Sequence, residues 1–501
     1  MIEKKPNVIL IFTDDQGYGD CSCLNKDSKF QTPHIDSIAH NGIAFTDAHT
    51  SSAVCTPSRY SLLTGRYNFR SYLKQGVLNA DDTPLIEEGR STIATVFKNS
   101  GYKTMMVGKW HLGMNVPGEF GNRNWDEDIT GGPCDYGFDY FYGIPASMNF
   151  GVLTYIENKR ATEPASLYTG KKKTNPAIDD FHFMPPYEIT RDFDMSAYLK
   201  APIIEIAPSF KDEETLEILT DKTLDLIRNN TKEEKPFFLY LALNSPHKPV
   251  CPSEKFIGKS DAGRYGDFML ETDYQVGRIL NLLDELEITD NTMVIFTSDN
   301  GPEATFVKRR EKFDHDSSGG LRGGKRDLYE GGHRVPMFVQ YPDMIQGKRV
   351  CKEPICLSDL FATFAQMLGY NTQDDEGEDS VSFFPVLQSE EYGKGFRGPV
   401  VHHSAGGYFA IRDGKWKLYT VSGGGATYNA ALADSGNAKN YELYNMEEDP
   451  TETCNLVNDY PEIVEGLLTT LRQYIVSGRS TPGVQQNNTG VERWSQLDCF
   501  M

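Results

Sequence analysis

No stretch of this chain approaches the roughly 18 consecutive apolar residues that cross a bilayer, so no membrane span is expected. The first apolar run, Val8–Phe12, is shorter than the hydrophobic region of an export signal. A mature exported chain would look the same. Basic residues are scarce relative to acidic ones, 50 against 71, which gives a formal net charge of −21. The absence of a global basic field and of a Lys/Arg-rich arm argues against nucleic acid as a partner. The same deficit means that an anionic ligand can bind only where cations are locally gathered. Cysteine is sparse too. There are nine (Cys21, Cys23, Cys55, Cys134, Cys251, Cys351, Cys356, Cys454 and Cys499), with no Cys-x-x-Cys pair. Zinc sites of the usual spacing and a disulfide scaffold are therefore not expected, and the odd count leaves at least one thiol unpaired within the chain. Apart from Cys55, these read as buried or inert thiols.

A chain of 501 residues exceeds what one core usually holds, so two domains are expected. Four short apolar runs each end in polar residues. Val8–Phe12 runs into Thr13-Asp14-Asp15, and Tyr102–Val107 into Gly108-Lys109-Trp110-His111. Phe237–Leu243 runs into Asn244-Ser245-Pro246-His247, and Met293–Phe296 into Thr297-Ser298-Asp299-Asn300. Such runs read as strands buried on both faces of a parallel sheet. Helical spacing lies between them, at Leu216, Leu219, Thr223 and Ile227 and at Val276, Ile279, Leu283 and Leu286. Alternation of strand and helix predicts an α/β domain over residues 1–370. In such sheets ligands bind beyond the carboxyl ends of the strands. The four polar termini are thus expected to converge.

The character changes near residue 370. Asn371–Ser380 is acidic, lacks large apolar side chains and reads as a linker or loop. Beyond it, Tyr408–Arg412 and Lys415–Tyr419 flank Asp413-Gly414, a hairpin signal. Tyr441–Tyr444 is a further strand candidate. A helix is expected from Pro461, with an apolar stripe through Ile463, Val464, Leu467, Leu468, Leu471, Tyr474 and Ile475. Residues 371–501 therefore read as a smaller α+β subdomain with an antiparallel sheet and a packed helix.

The segment Cys55-Thr56-Pro57-Ser58-Arg59 reads as a helix start, since Pro57 suits a first turn. That places Cys55 where backbone N–H groups favour anions, with Arg59 one turn on. On these residues alone Cys55 is either a thiolate nucleophile or a small buried cysteine. Asp14, Asp15, Asp299 and Asn300 offer only oxygen ligands, which suits a hard cation.

The pattern Cys-x-Pro-x-Arg followed by Ser61-Leu62-Leu63-Thr64-Gly65-Arg66 resembles the signature of the type I sulfatases. The family's second signature, Gly-Lys-Trp-His-Leu-Gly, stands at Gly108–Gly113. The match continues in Asn7–Asp15, Asn244–Pro249, Thr297–Gly301 and Leu321–Gly332, in the family's order. The resemblance implies an alkaline-phosphatase-like large domain, with a mixed, mostly parallel sheet flanked by helices. It implies a Cys55 oxidised to formylglycine by a maturation enzyme, whose hydrated aldehyde attacks sulfur. It implies a single Ca²⁺ held by Asp14, Asp15, Asp299 and Asn300, which would also hold the hydroxyls of modified Cys55 and a sulfate oxygen. Arg59, Lys109, His111, His247 and Lys325 match the family's contacts to the nucleophile and the sulfate. Arg59 would orient the hydrated aldehyde, and Lys109 and Lys325 would neutralise sulfate oxygens. His247 is the candidate acid for the leaving alcohol and His111 the base that releases sulfate, although the two roles could be exchanged. If Lys109–His111 is extended, those two side chains share a face.

His315 fits a substrate contact and a solvated loop equally well. The aromatic segment Tyr136–Tyr142 is expected to be structural. The expected substrate is a sulfated carbohydrate cleaved at a terminal sugar, preferably galactose or N-acetylgalactosamine 6-sulfate. His402, His403 and Arg412 are candidate sugar contacts. Periplasmic or cell-surface location follows from the bacterial glycan sulfatases that the chain resembles. Two other functions stay open: a phosphomonoester, phosphodiester or phosphonate hydrolase of the same superfamily, and a non-catalytic binder of sulfated glycans.

Overall fold

The computed structural model describes residues 5–170, 189–190, 203–233, 235–389, 392, 395–427 and 440–501. The four apolar runs form the centre of a ten-stranded sheet. Its elements in chain order are β1 (Asn7–Asp14), α1 (Pro33–His40), β2 (Ile43–Phe45), α2 (Cys55–Thr64), α3 (Ile93–Asn99), β3 (Lys103–Lys109), β4 (Tyr140–Ile144), β5 (Ile156–Glu157), β6 (Arg160–Ala161), α4 (Thr215–Asn230), β7 (Phe237–Pro246), α5 (Gly263–Glu285), β8 (Thr292–Ser298), β9 (Met337–Gln340) and β10 (Arg349–Cys351). The spatial order is β10-β2-β9-β8-β1-β7-β3-β4-β5-β6. The five central strands, β8 to β4, are parallel, and antiparallel pairs join at both flanks.

Every residue of β1, β7 and β8 is buried, as a sheet covered on both faces requires. One apolar cluster packs α3 and the helix α6 (Leu360–Leu368) on one face, and another packs α1, α4 and α5 on the other. The predicted helical stripes fall on α4 and α5, with Leu216, Leu219, Ile227, Val276, Ile279 and Leu283 buried. Tyr136–Tyr142 is structural as expected, with Phe138 and Phe141 buried in the core and β4 beginning at Tyr140.

The C-terminal residues form a four-stranded antiparallel sheet of β11 (Val400–His403), β12 (Phe409–Asp413), β13 (Trp416–Tyr419) and β14 (Glu442–Asn445). Helix α7 (Pro461–Ser477) packs on it through Leu467, Leu468, Leu471 and Ile475. The hairpin is present but one residue later than its sequence signal. Asp413 pairs with Trp416, so Gly414 and Lys415 form the turn, with Gly414 at φ 53. Asn371–Ser380 is irregular, as its composition implies, but it is firmly tied down. Asp379 is fully buried against Arg70 (2.7 Å), and Glu378 against Arg66 and Arg90 (3.2 and 3.1 Å). Paired with arginines, these carboxylates can leave water without being left as bare charges.

Candidate active site

The carboxyl ends of β1, β3, β7 and β8 deliver the predicted residues to one place. Asp14 ends β1, and Asp15 follows it at φ 64. Lys109 ends β3 after Gly108, whose φ is 113. A Cβ at Gly108 would lie 1.9 Å from the Ala242 carbonyl oxygen, so only glycine permits this close approach of β3 to β7. The chain is not extended at His111, which adopts φ 59. Lys109 and His111 therefore reach the site by a turn and not along one strand face.

Cys55 is the first residue of α2, is buried, and has Val54 as N-cap. Arg59, one turn on, donates from Nε and Nη2 to Asp299 Oδ2 (3.2 and 2.7 Å) and from Nη1 to the Lys109 carbonyl (3.3 Å). Lys109 Nζ lies 2.5 Å from Asp14 Oδ2, and Lys325 Nζ lies 2.6 Å from Asp15 Oδ1. Three carboxylates and three cations thus share a buried site. Arg59, Lys109 and Lys325 are the local gathering of cations that so acidic a chain needs to bind an anion, with the three carboxylates offsetting their charge.

Burial raises the Cys55 thiol above its ordinary range, with Lys109 and Lys325 only partly offsetting this. Burial and the neighbouring Asp14 push Asp299 up to about 6 despite Arg59. Burial alone would raise Asp15, but the Lys325 ammonium beside it more than offsets this and holds the carboxyl well below the ordinary range. Burial also keeps His111 and His247 neutral near pH 7, with Lys109 beside the first and Lys325 beside the second adding to the effect. His247 Nδ1 lies 2.6 Å from the Lys248 carbonyl and so donates its proton there, which leaves Nε2 3.6 Å from Asp15 Oδ2. His111 Nε2 donates to the Leu78 carbonyl (2.9 Å), and its Nδ1 is buried with no partner among the described residues.

The donor set fits a hard cation. Among the described residues, Asp14 Oδ1, Asp15 Oδ2 and Asn300 Oδ1 are buried acceptors with no hydrogen-bond partner. Asn300 Nδ2 donates to Asp15 Oδ1 (2.8 Å), which fixes the amide with its oxygen free. Orphaned buried oxygens are costly unless something positive meets them, and an all-oxygen set suits Ca²⁺.

Above Cys55 opens a cavity of about 170 Å³, lined in part by His247, Lys248, Asn149, Phe150, Lys325 and Arg326, with Ala405 at its edge. The sequence points to His247 and Lys325 but not to the others. Lys248 and Arg326 directly follow them, so basic neighbours are the available signal. Asn149 and Phe150 carry none.

Four predicted substrate residues lie elsewhere. His315 is fully buried, with Nε2 2.8 Å from Asp20 Oδ1 and Nδ1 accepting from the Lys29 backbone N–H (3.3 Å), so both ring nitrogens are used. It packs on Phe30 and does not line the cavity. His402 and His403 lie in β11 and are buried in opposite directions. His402 Nδ1 donates to the Thr50 carbonyl (3.0 Å), while His403 Nδ1 accepts from Asn68 Nδ2 (2.8 Å). Arg412 grips both oxygens of Asp47 (3.0 and 2.7 Å). The sheet is covered on both faces, and this turns these polar residues inward to partners instead of toward substrate. The C-terminal residues reach the cavity through Ala405, in the turn after β11.

The family model described as Sulfatase matches residues 6–370. The chain belongs to the sulfatase family. It is a sulfuric ester hydrolase of alkaline-phosphatase-like fold. A second model, described as N-sulphoglucosamine sulphohydrolase, C-terminal, matches residues 323–477 of this sulfatase. An N-acetylgalactosamine-6-O-sulfatase of Bacteroides thetaiotaomicron is 33% identical over 481 residues, covering 93% of this chain and 92% of that protein. Human arylsulfatase A is 31% identical, covering 93% and 87%. A solved sulfatase structure from a study of glycosaminoglycan metabolism in Bacteroides thetaiotaomicron superposes with a TM-score of 0.78 at 31% identity, covering 94% of this chain and 99% of that one.

Proposed function

We propose that this sulfatase removes sulfate from the terminal sugar of a sulfated carbohydrate, with N-acetylgalactosamine or galactose 6-sulfate as the favoured substrate. The observation that carries the reading is the small cavity, about 170 Å³, that Cys55, Lys325 and His247 line together. A recess of this volume has room for about one sugar ring beside the sulfate. The N-acetylgalactosamine-6-O-sulfatase relative supports the choice of sugar.

Cys55 acts after maturation to formylglycine, whose hydrate supplies the attacking hydroxyl. The raised thiol pKa is consistent with this, since unmodified Cys55 would be protonated and weakly nucleophilic. Arg59, locked between Asp299 and the Lys109 carbonyl, holds a positive charge beside that hydroxyl. Lys109 and Lys325 compensate charge on the sulfate oxygens, and their pairing with Asp14 and Asp15 fixes them before substrate arrives. One Ca²⁺ would be held by Asp14, Asp15, Asp299 and Asn300, and when bound it supplies charge that polarises the sulfate. His247 faces the cavity and is the acid for the leaving alcohol. Its Nδ1–H donates a hydrogen bond to the Lys248 carbonyl, so it acts from Nε2, and the negative charge of the substrate favours the protonated form. His111 presents an unpartnered Nδ1 lone pair and serves as the base that frees the sulfate. A maturation enzyme acting on Cys55 and a periplasmic or cell-surface location complete the proposal.

The test is sulfate release from a panel of sulfated mono- and oligosaccharides, with and without a chelator. Fast release from terminal 6-sulfated sugars, lost on chelation and restored by Ca²⁺, is expected. Equal rates on internal sulfates of a long polymer would overturn terminal action, and activity that survives chelation would overturn the metal assignment.

A further inference from the structure

The cavity mouth holds two cations that the sulfate site does not use. Arg326 and Lys248 both line it, with side chains 35% and 30% exposed. Both lean on one carboxylate. Arg326 binds Glu303 through both terminal nitrogens, with Nη2 to Oε2 at 2.9 Å, and Lys248 Nζ lies 3.6 Å from the same oxygen. The trio keeps a net positive charge at the mouth, and the arginine is preorganised by a planar, two-pronged contact.

The backbone at Arg326 is unusual. Its φ is 87, a region that non-glycine residues rarely adopt. The conformation is held from both sides. The Arg326 N–H donates to the Ala53 carbonyl (2.8 Å), and the Arg326 carbonyl accepts from the Ala405 N–H (3.2 Å). The turn thus joins the segment before Cys55 to the loop after β11, and it sets the guanidinium at the mouth while Lys325 reaches inward to Asp15. Sparsely populated backbone conformations that persist because their surroundings enforce them concentrate at functional sites.

We infer that Arg326 and Lys248, braced by Glu303, form a second anion subsite that selects carbohydrates with another negative group beside the scissile sulfate. That group is either the carboxylate of an adjoining hexuronate or a second sulfate on the same ring. The inference rests on the carbohydrate reading above and adds a charge requirement to it.

The test compares kcat/KM on three substrates: N-acetylgalactosamine 6-sulfate, the same sugar joined to a hexuronate, and its 4,6-disulfated form. The intact enzyme should favour at least one doubly charged substrate by about tenfold, and the favoured one identifies the source of the charge. That preference should shrink as salt is raised. Arg326→Gln should lower the ratio of doubly to singly charged kcat/KM by about tenfold, mainly through KM. Lys248→Gln, which leaves the strained turn intact, should lower it by a smaller factor and serves if Arg326→Gln folds poorly. Equal treatment of all three substrates by the intact enzyme, or equal losses on all three in both variants, would overturn the subsite while leaving the carbohydrate reading standing. Failure of the intact enzyme to release sulfate from any of the three would overturn both.

Discussion

Two buried clusters in this molecule use the same residue types to opposite ends. At the strand ends, Asp14, Asp15, Asp299, Arg59, Lys109 and Lys325 surround Cys55. Between the two sheets, Asp47, His49, Glu330, His333, Arg412 and Lys417 form a second cluster with Glu452. In this second cluster nearly every charge is spent on another protein group. Lys417 Nζ lies 2.8 Å from Glu330, 3.0 Å from Glu452 and 2.9 Å from His333 Nε2. His49 joins Asp47 (2.8 Å) to His333 (3.0 Å), and Arg412 holds both oxygens of Asp47.

His49, His333 and His402 lie close enough together to suggest a metal site. The rings of His333 and His402, however, stack at 3.8 Å with 14° between their planes. In-plane lone pairs of stacked rings cannot converge on one ion, so packing and not coordination explains this trio. The Cys55 cluster differs on two counts. Its orphaned atoms are carboxylate and amide oxygens, where the trio's is the His402 Nε2 nitrogen, and it opens on a cavity. Residue type and burial do not separate the two clusters; unused acceptors facing open space do.

The contrast would break most visibly at Cys55. Cys55→Ala should remove nearly all turnover, out of the roughly 8–23 kcal/mol of barrier lowering that enzymes supply, and leave the thermal unfolding midpoint almost unchanged. Sulfate-release assays and calorimetry on the purified variant check this. Substantial retained activity would remove Cys55 from the mechanism.

Arg412→Ala should show the reverse pattern. Leaving Asp47 and Glu330 buried without it should cost about 3–5 kcal/mol of stability, with a far smaller effect on kcat. The effect has a pH signature. Burial raises the Asp47 carboxyl, but Arg412 and His49 more than offset this and hold its folded pKa below the ordinary value. The stabilisation is therefore fully present above the unfolded pKa of about 3.9 and is lost as pH falls through the lower folded value. In denaturant titrations the gap between native and Arg412→Ala protein should narrow below about pH 4. A gap that widens on acidification would contradict the assignment.

The smallest expected effect is on substrate choice. His402→Ala combined with His403→Ala should leave the ranking of sulfated sugars unchanged, because both rings are buried away from the cavity. A reordered ranking on the sugar panel would show that the second cluster does reach the substrate.

Much of the cluster around Cys55 is legible in the order of residues alone. Continuous apolar runs mark buried parallel strands, and whatever follows each run must sit at the same edge of the sheet. Asp14, Lys109, His247 and Asp299 can therefore be gathered from positions far apart in sequence. His402, His403 and Arg412 are misplaced by sequence reasoning for a related reason. Strand residues alternate faces, and only the packing on each face decides whether a polar side chain meets solvent, substrate or a buried partner. Asp379 and Glu378 show the same limit, since an acidic loop gives no sign of the arginines that bury it. Arg326 is hidden by its backbone, because a positive φ at an arginine has no signature in residue type.

The most direct measurement is mass spectrometry of the peptide that contains Cys55, from protein produced together with a formylglycine-generating enzyme, read beside sulfate release by the same preparation. An aldehyde in place of the thiol is expected, in a fraction that scales with turnover across preparations. Full activity in material whose Cys55 is wholly an unmodified thiol would contradict the proposed chemistry.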